Sequence, residues 1–413
     1  VKSRSLFKQN IKDVKVAIRP AVKEFEQRKA AERWQKATTA KTGMLNVNKL
    51  HAYKTDDDIF LKATKLADSK NHGMLMLIDY SGSMCRTLDT VLDQLIHLVV
   101  FCKTVQIPFQ VYGFTNQFSK ARKEKITELQ IDGDINMSDL GLVELISSSL
   151  KKSDYEDALY WLYFRKLIMK DRYSSSYYNS YYDGDERELS FHTRHNGENM
   201  FSRMEQLGGT PLNQALLVSQ TLVKDFIRKN AVEKMNFVVL SDGDSNGMYE
   251  NRSYEAKNIE RVSTNYFADT HLIVNKKVIK LKDLSRRCTH TLLEDLQKRY
   301  NLTTIGFFVS NDNYDFRGKV AEVNNTEYYD SRQQYDEANK MYRKEKVASY
   351  KNTIGYTEFY IVKGQQLKTQ KDNHLGKLNE ESSKGQIGAA FKKEAKSKKA
   401  NKVLLTKFGI AVA

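Results

Sequence analysis

Asp79, Ser81 and Ser83 stand at alternate positions directly after an apolar run, Met74 to Ile78. A run of that length and composition reads as a buried strand, so the polar residues fall where the strand opens into a loop. One carboxylate and two hydroxyls at such a point make a set of hard oxygen donors. That set suits Mg²⁺ or Mn²⁺ rather than zinc or copper. Two later segments carry the same chemistry. Gly208-Gly209-Thr210-Pro211 puts a hydroxyl on a tight turn before a helical pattern, and Phe237 to Leu240 is an apolar run that ends in Ser241-Asp242-Gly243. Asp79, Ser81, Ser83, Thr210 and Asp242 are therefore the candidate metal ligands, with Asp244 as a further carboxylate that could join them. Ser81 and Ser83 could instead cap the next helix, but capping gives no role to Thr210 or Asp242.

The elements that must position these residues alternate between strand and helix. Apolar runs predict strands at 74–78, 109–114, 236–240 and 303–309, and apolar faces predict helices at 87–103 and 212–228. This alternation argues for an α/β fold, a doubly wound, mostly parallel central sheet with helices on both faces. Sites in such sheets form beyond the carboxyl ends of the strands, where all three polar segments lie. Strand 303–309 is expected to close the sheet. Residues 1–70 read as an N-terminal helical extension and arm, with Ile18, Val22 and Phe25 at helical spacing and Pro20 at a kink or first turn. Residues 71–413 read as one domain, with a Tyr-rich insertion at 150–200 and a hairpin at 271–281. Inside the insertion, 157–165 is expected to be a buried helix and 173–182 a loop. Residues 340–400 are Lys-rich with no firm pattern, and the end, to Phe408, suits an amphipathic helix.

Composition narrows the function. The chain has 413 residues, of which 29% are charged, and carries a formal net charge of +16. No apolar run approaches the roughly 20 residues needed to span a bilayer, and no signal peptide is legible in Val1-Lys2-Ser3-Arg4. Cys85, Cys102 and Cys288 are too few and too irregularly spaced for a disulfide framework or a zinc site, which fits a reducing cytoplasm. The positive charge admits acidic partners, but Lys and Arg are spread along the chain without a nucleic-acid fold signature, so specific nucleic-acid binding is not expected.

D-x-S-x-S at 79–83, G-G-T at 208–210 and S-D-G at 241–243, in that order, resemble the metal-ion-dependent adhesion site (MIDAS) of von Willebrand factor A (VWA) domains. Within that family the chain is similar to the CobT-type cobaltochelatase subunit, especially its relatives in tailed phages. Val22 to Ala30, Gly43 to Lys54, Asn71-His72-Gly73, Asp79 to Met84, Val111 to Thr115, Gly208 to Leu212, Leu240 to Gly243 and Ile305-Gly306-Phe307 carry that likeness. The resemblance implies a VWA/Rossmann-like fold and a metal-dependent interaction subunit. Ser81 and Ser83 would contact Mg²⁺ or Mn²⁺ directly. Thr210 would bind directly or through water, and Asp79 and Asp242 mainly through water or hydrogen bonds. It further implies a MoxR- or CobS-type AAA+ ATPase as partner, and a client protein or metal-insertion substrate. If the chain is phage-encoded, the setting would be the host bacterial cytoplasm. Two other readings are a structural or virion-associated VWA interaction protein without an ATPase, and a metal-dependent hydrolase.

No Gly-x-x-x-x-Gly-Lys-Ser/Thr loop is present, so nothing in the chain can cradle the phosphates of a nucleotide in the P-loop manner. The purified chain is expected to show no ATP turnover. Activity that follows the protein through successive columns and vanishes in Asp242→Ala would contradict this.

Overall fold

The structure is a computed structural model that describes residues 2–35, 38–40, 63–65, 71–116, 135–137, 140–174, 207–253, 259–263, 271–274, 277–280, 286–364, 405 and 407–408. Helix α1 (Lys2–Gln35) is followed by a small ribbon of β1 (Thr38–Ala40) and β2 (Ala63–Lys65). Then come β3 (His72–Asp79), α2 (Leu88–Thr104), β4 (Phe109–Thr115), β5 (Gly141–Ser147), α3 (Lys152–Ser174), α4 (Leu212–Asn230) and β6 (Lys234–Ser241). Two antiparallel ribbons follow, β7 (Tyr249–Ser253) with β8 (Ile259–Ser263) and β9 (His271–Val274) with β10 (Lys277–Lys280). The remaining elements are α5 (Arg286–Tyr300), β11 (Thr303–Ser310), α6 (Asn313–Val323), α7 (Arg332–Glu345), β12 (Ala348–Thr353) and β13 (Tyr356–Lys363).

Seven strands form one sheet in the order β12-β13-β11-β6-β3-β4-β5. The pairs β13·β11, β11·β6, β6·β3 and β3·β4 are parallel, and only the outer strands β12 and β5 run antiparallel. The expected mostly parallel α/β sheet is present. Strand β3 shows why helices cover both faces. Met74, Met76 and Ile78 enter one core with residues of α1, α2 and α3, while Leu75 and Leu77 enter a second core with residues of α4, α5, α6 and α7. Successive side chains of a strand point to opposite faces, so an unbroken apolar run needs an apolar partner on each side.

One sequence expectation is corrected. The sheet does not close at 303–309: β13 pairs parallel with β11, and β12 forms the edge. The Lys-rich stretch from 340 hides these strands because their polar residues lie near the edge, where one side meets water. Burial of Ala348, Phe359, Ile361 and Val362 shows the apolar positions that matter. The glycine of Ile305-Gly306-Phe307 belongs to this packing, since a Cβ there would lie 2.5 Å from Cδ2 of Phe359. The alternative role for Ser81 and Ser83, capping α2, is absent, since α2 starts after Thr87 with no side-chain cap. Pro20 lies inside α1, which excludes the first-turn half of its reading.

Other expectations fare better. The segment 157–165 is helical within α3, and Leu159, Leu162, Tyr163 and Phe164 are buried. The pairing of Val274 with Lys277 sets the predicted hairpin. Leu405 and Phe408 are helical and buried. The arm at 41–60, the Ser-Tyr stretch beyond 174 and all of 365–404 lie outside the described residues.

Helix α1 shares the first core through Val14, Ile18 and Phe25, and the Phe25 ring meets Phe101 of α2 edge-on at 5.9 Å. Truncating a buried Phe typically costs about 3–5 kcal/mol, and an exposed substitution about 0.5 kcal/mol or less. Phe25→Ala is expected to lower the urea midpoint clearly, whereas Val16→Ala, at a position 58% exposed, leaves it nearly unchanged. Equal effects would mean that α1 is not part of the core.

Candidate metal centre

Strand order reverses between β3 and β6, because the chain first adds β4 on one side of β3 and later adds β6 on the other. The carboxyl ends of β3 and β6 therefore flank a crevice, the place where open α/β sheets hold ligands. Ile78 is in register with Leu240, so the next residues, Asp79 and Ser241, emerge together. Ser241 Oγ donates to Asp79 Oδ2 at 2.6 Å, and the Ser81 backbone N–H donates to Asp79 Oδ1 at 2.9 Å. Asp79 is thus anchored below the loop, where it orients Ser81.

Above it the hydroxyls and the second carboxylate converge. Ser81 Oγ and Ser83 Oγ are 2.9 Å apart, Ser83 Oγ donates to Asp242 Oδ1 at 2.8 Å, and Ser81 Oγ lies 3.5 Å from the same oxygen. Four of the five candidate ligands therefore form one bonded cluster from segments about 160 residues apart in sequence. Thr210 arrives by the backbone. Gly208 N–H donates to Tyr80 O at 3.0 Å, and Gly82 N–H donates to Gly208 O at 2.7 Å. This bridge lays the Gly-Gly-Thr turn alongside Ser81. No hydrogen bond joins the Thr210 side chain to the other four among the described residues. Asp244 is not in the cluster: it pairs with Lys319 Nζ at 3.0 Å.

Several contributors were not among the sequence candidates. Asn311, just past β11, donates from Nδ2 to Asp242 Oδ2 at 3.0 Å and so leaves Oδ1 for the serines. Asn116, just past β4, accepts from Gly209 N–H at 2.6 Å. Arg165 of α3 is buried and stacks its guanidinium 4.5 Å from the centre of the Tyr80 ring, between Asp79 and Ser81 in the chain. The strand-end rule that finds Asp79 and Asp242 also points to Asn116 and Asn311. Nothing in sequence spacing points to Arg165.

The electrostatics are one-sided. Asp79 is fully buried and Asp242 is 7% exposed. No cationic side chain pairs with either among the described residues. Burial pushes the Asp79 carboxyl up to about 7, against the hydrogen bonds from Ser241 and Ser81, and the nearby Asp242 charge adds to the rise. Burial also raises Asp242, opposed by its bonds from Ser83 and Asn311, with Asp315 adding a little. A divalent cation would supply the missing positive charge, and hydroxyl and carboxylate oxygens are the donors Mg²⁺ prefers. Among the described residues no group of three or more His, Cys, Asp or Glu side chains could hold a metal. The donor set here depends on its hydroxyls.

No protein-family model matches the chain, and no curated protein matches it in sequence. Among solved structures it is similar to the pilus adhesin SpaC from Lactobacillus rhamnosus GG. For the open conformation the identity is 11% and the TM-score 0.28, covering 59% of this chain and 24% of the adhesin. For a second form the identity is 11% and the TM-score 0.30, covering 60% and 26%. The chain thus spans about a quarter of the adhesin's length, and a likeness this weak says nothing about function.

The raised Asp79 gives a pH dependence with a definite sign. Its folded value, about 7, lies above the ordinary value of 3.8, so the metal-free fold favours the protonated acid. Stability from this group is full below the unfolded value and is lost as pH rises toward 7. The loss is on the order of 4 kcal/mol. Metal-free protein should therefore become less stable to urea between pH 4 and 7, Asp79→Asn should remove most of that slope, and Mn²⁺ at pH 8 should restore the wild type. A slope unchanged in Asp79→Asn would place the titration elsewhere. Because Asp79 is buried rather than at a solvated edge, the larger change Asp79→Ala is expected to cost stability as well as metal binding.

Proposed function

We propose that this chain is a metal-dependent protein-interaction subunit in which a VWA-type site presents Mg²⁺ or Mn²⁺ to a carboxylate of another protein. The observation that carries the reading is the shared bonding of Ser81, Ser83 and Asp242 above a buried Asp79. A bound Mg²⁺ would offer an open coordination position to an incoming acidic side chain. Ser81, Ser83 and Thr210 would hold the ion, while Asp242, turned by Asn311, and Asp79, fixed by Ser241, would orient the hydroxyls and offset the charge. Outer groups that orient metal ligands matter nearly as much as the ligands themselves.

The partner we propose is an AAA+ ATPase of the MoxR or CobS type, acting with this chain on a client protein in a remodelling or chelatase-like complex. This rests on the sequence resemblance carried by the site loops and their order. The proposal gives the chain a binding role. Hydrolytic metal sites usually draw on several direct carboxylates, and the cluster here contains two.

Calorimetry of the full chain with Mn²⁺ is expected to show one site, weakened at least tenfold in Ser83→Ala. A tagged chain drawn from its native cell should retain its ATPase in Mg²⁺ and release it in chelator, with moderate salt having the smaller effect. An ATPase complex indifferent to chelator and to Ser83→Ala would end the metal-bridge reading. Chelator-sensitive capture of structural proteins alone would favour the virion-associated role.

A further inference from the structure

Tyr314, on the first turn of α6, is 67% exposed, and Tyr329, in the loop between α6 and α7, is 87% exposed. Tyr328 joins them, its ring centre 4.8 Å from that of Tyr314 and 5.4 Å from that of Tyr329. The three rings form one aromatic step, whereas exposed apolar groups ordinarily stand singly. Arg317 of α6 holds the step in place. Its guanidinium lies 4.7 Å from the Tyr328 ring centre, donates from Nη2 to Tyr329 O at 3.1 Å, and donates from Nε to Ser331 Oγ at 3.2 Å. Buried Ser331 donates in turn to Tyr328 O at 2.6 Å. Gly318 is one helical turn after Tyr314, on the same face of α6. A Cβ there would meet nothing within 4 Å. Glycine inside a helix is disfavoured against alanine, and packing among the described residues gives no reason for it. A partner's backbone laid against α6 beside the tyrosines would.

The charge around this step is opposite to that of the chain. Residues 312–332 hold five acids and three bases, a formal −2, while the whole chain carries +16. Two of the three bases are turned away from solvent: Arg317 to the loop, and Lys319 to Asp244 and Glu322. Asp312, Glu327 and Asp330 are exposed, as is Arg332, the third base. We infer that Tyr314, Tyr328, Tyr329 and the Gly318 face of α6 form a docking surface for a basic segment of another protein, which lays an Arg or Lys side chain on the rings. A cation is attracted to the face of a tyrosine ring, and a guanidinium can stack there while it pairs with a nearby carboxylate. An acidic segment would meet repulsion instead. Tyrosine offers wide contact area at little loss of rotamer freedom, and a loop already pinned by Arg317 has little left to order on binding. Asn311, which bonds Asp242, immediately precedes Asp312, the cap of α6. The surface therefore borders the candidate metal centre without sharing a ligand with it, and the inference does not depend on the metal reading.

The test uses the full chain in chelator, so that metal plays no part. The probes are a capped, dye-labelled Gly-Arg-Leu-Arg-Gly peptide and its analogues with citrulline or glutamate in place of arginine. Fluorescence anisotropy reads affinity. Fluorine NMR of protein carrying 3-fluorotyrosine reads location, with resonances assigned through Tyr314→Phe and Tyr329→Phe. The arginine peptide should bind most tightly, the citrulline peptide more weakly and the glutamate peptide least, and the Tyr314 and Tyr329 resonances should shift with the first. An exposed ring contributes about two- to fivefold in affinity for a cation, so Tyr314→Ala combined with Tyr329→Ala should weaken the arginine peptide by about twofold or more. Glu327→Lys combined with Asp330→Lys leaves the rings intact and should weaken it as much, which keeps the test decisive if loss of the tyrosines disturbs the loop. Gly318→Ala should raise the urea midpoint and still weaken the peptide. Equal affinity for the arginine and glutamate peptides, or no shift of either resonance, would overturn the inference. So would wild-type affinity in any of the three variants. A dimer of this chain that is lost with the two tyrosines would assign the face to a second copy and overturn it as well.

Discussion

Two carboxylates held at the carboxyl ends of neighbouring parallel strands, out of water and, among the described residues, without a cationic side chain against them, set the terms for the rest of the site. Desolvation disfavours a charged acid. The fold meets that cost by aiming donors at both groups: Ser241 and the Ser81 N–H at Asp79, Ser83 and Asn311 at Asp242. These bonds lower each acid's affinity for protons without cancelling the effect of burial. The arrangement is one that a divalent ion would complete.

The sheet makes this economical. The register of β3 against β6 brings Asp79 beside Ser241, and the reversal of strand order opens a crevice for the loops. Helices on both faces bury the strands so completely that their ends cannot shift independently. Interiors are close-packed, and the ring of Tyr80 is clasped by Arg165 at 4.5 Å while a Cβ on Gly113 would lie 3.4 Å from it. The loop that carries Ser81 and Ser83 is thus anchored from the core side by packing and from the far side by the Gly208 bridge. Precision in the hydroxyl positions comes from these anchors as much as from the polar bonds.

Much of this was legible in the residues themselves. Strands β3, β4, β6 and β11 and helices α2 and α4 were readable because each is apolar on every face it buries, or on one helical stripe. Asp79, Ser81, Ser83, Thr210 and Asp242 were readable because polar residues at the ends of such runs stand out. The edge strand β12 and its neighbour β13 were not readable. β12 carries Ser, Lys, Asn and Thr on partly exposed positions, and the buried run Phe359–Val362 of β13 is short and flanked by polar residues. Asn116 and Asn311 stand at strand ends too, yet an Asn there passes for ordinary turn chemistry, and the role of Arg165 was not readable at all, since an Arg in a helix is ordinary surface.

Local residue pattern was enough to specify the class of sheet, the strand ends where polar groups collect, and the oxygen chemistry of those groups. These follow from local pattern: apolar run length, period, and the residue types that end each run. Tertiary structure alone decided which strand ends become neighbours. It turned Asp244 away to Lys319, set Asn311 against Asp242, and bonded Asn116 to the Gly209 N–H. Those outcomes depend on strand order and on which helix packs against which face. Distance in space between residues far apart in the chain is set by packing, and no local pattern encodes it.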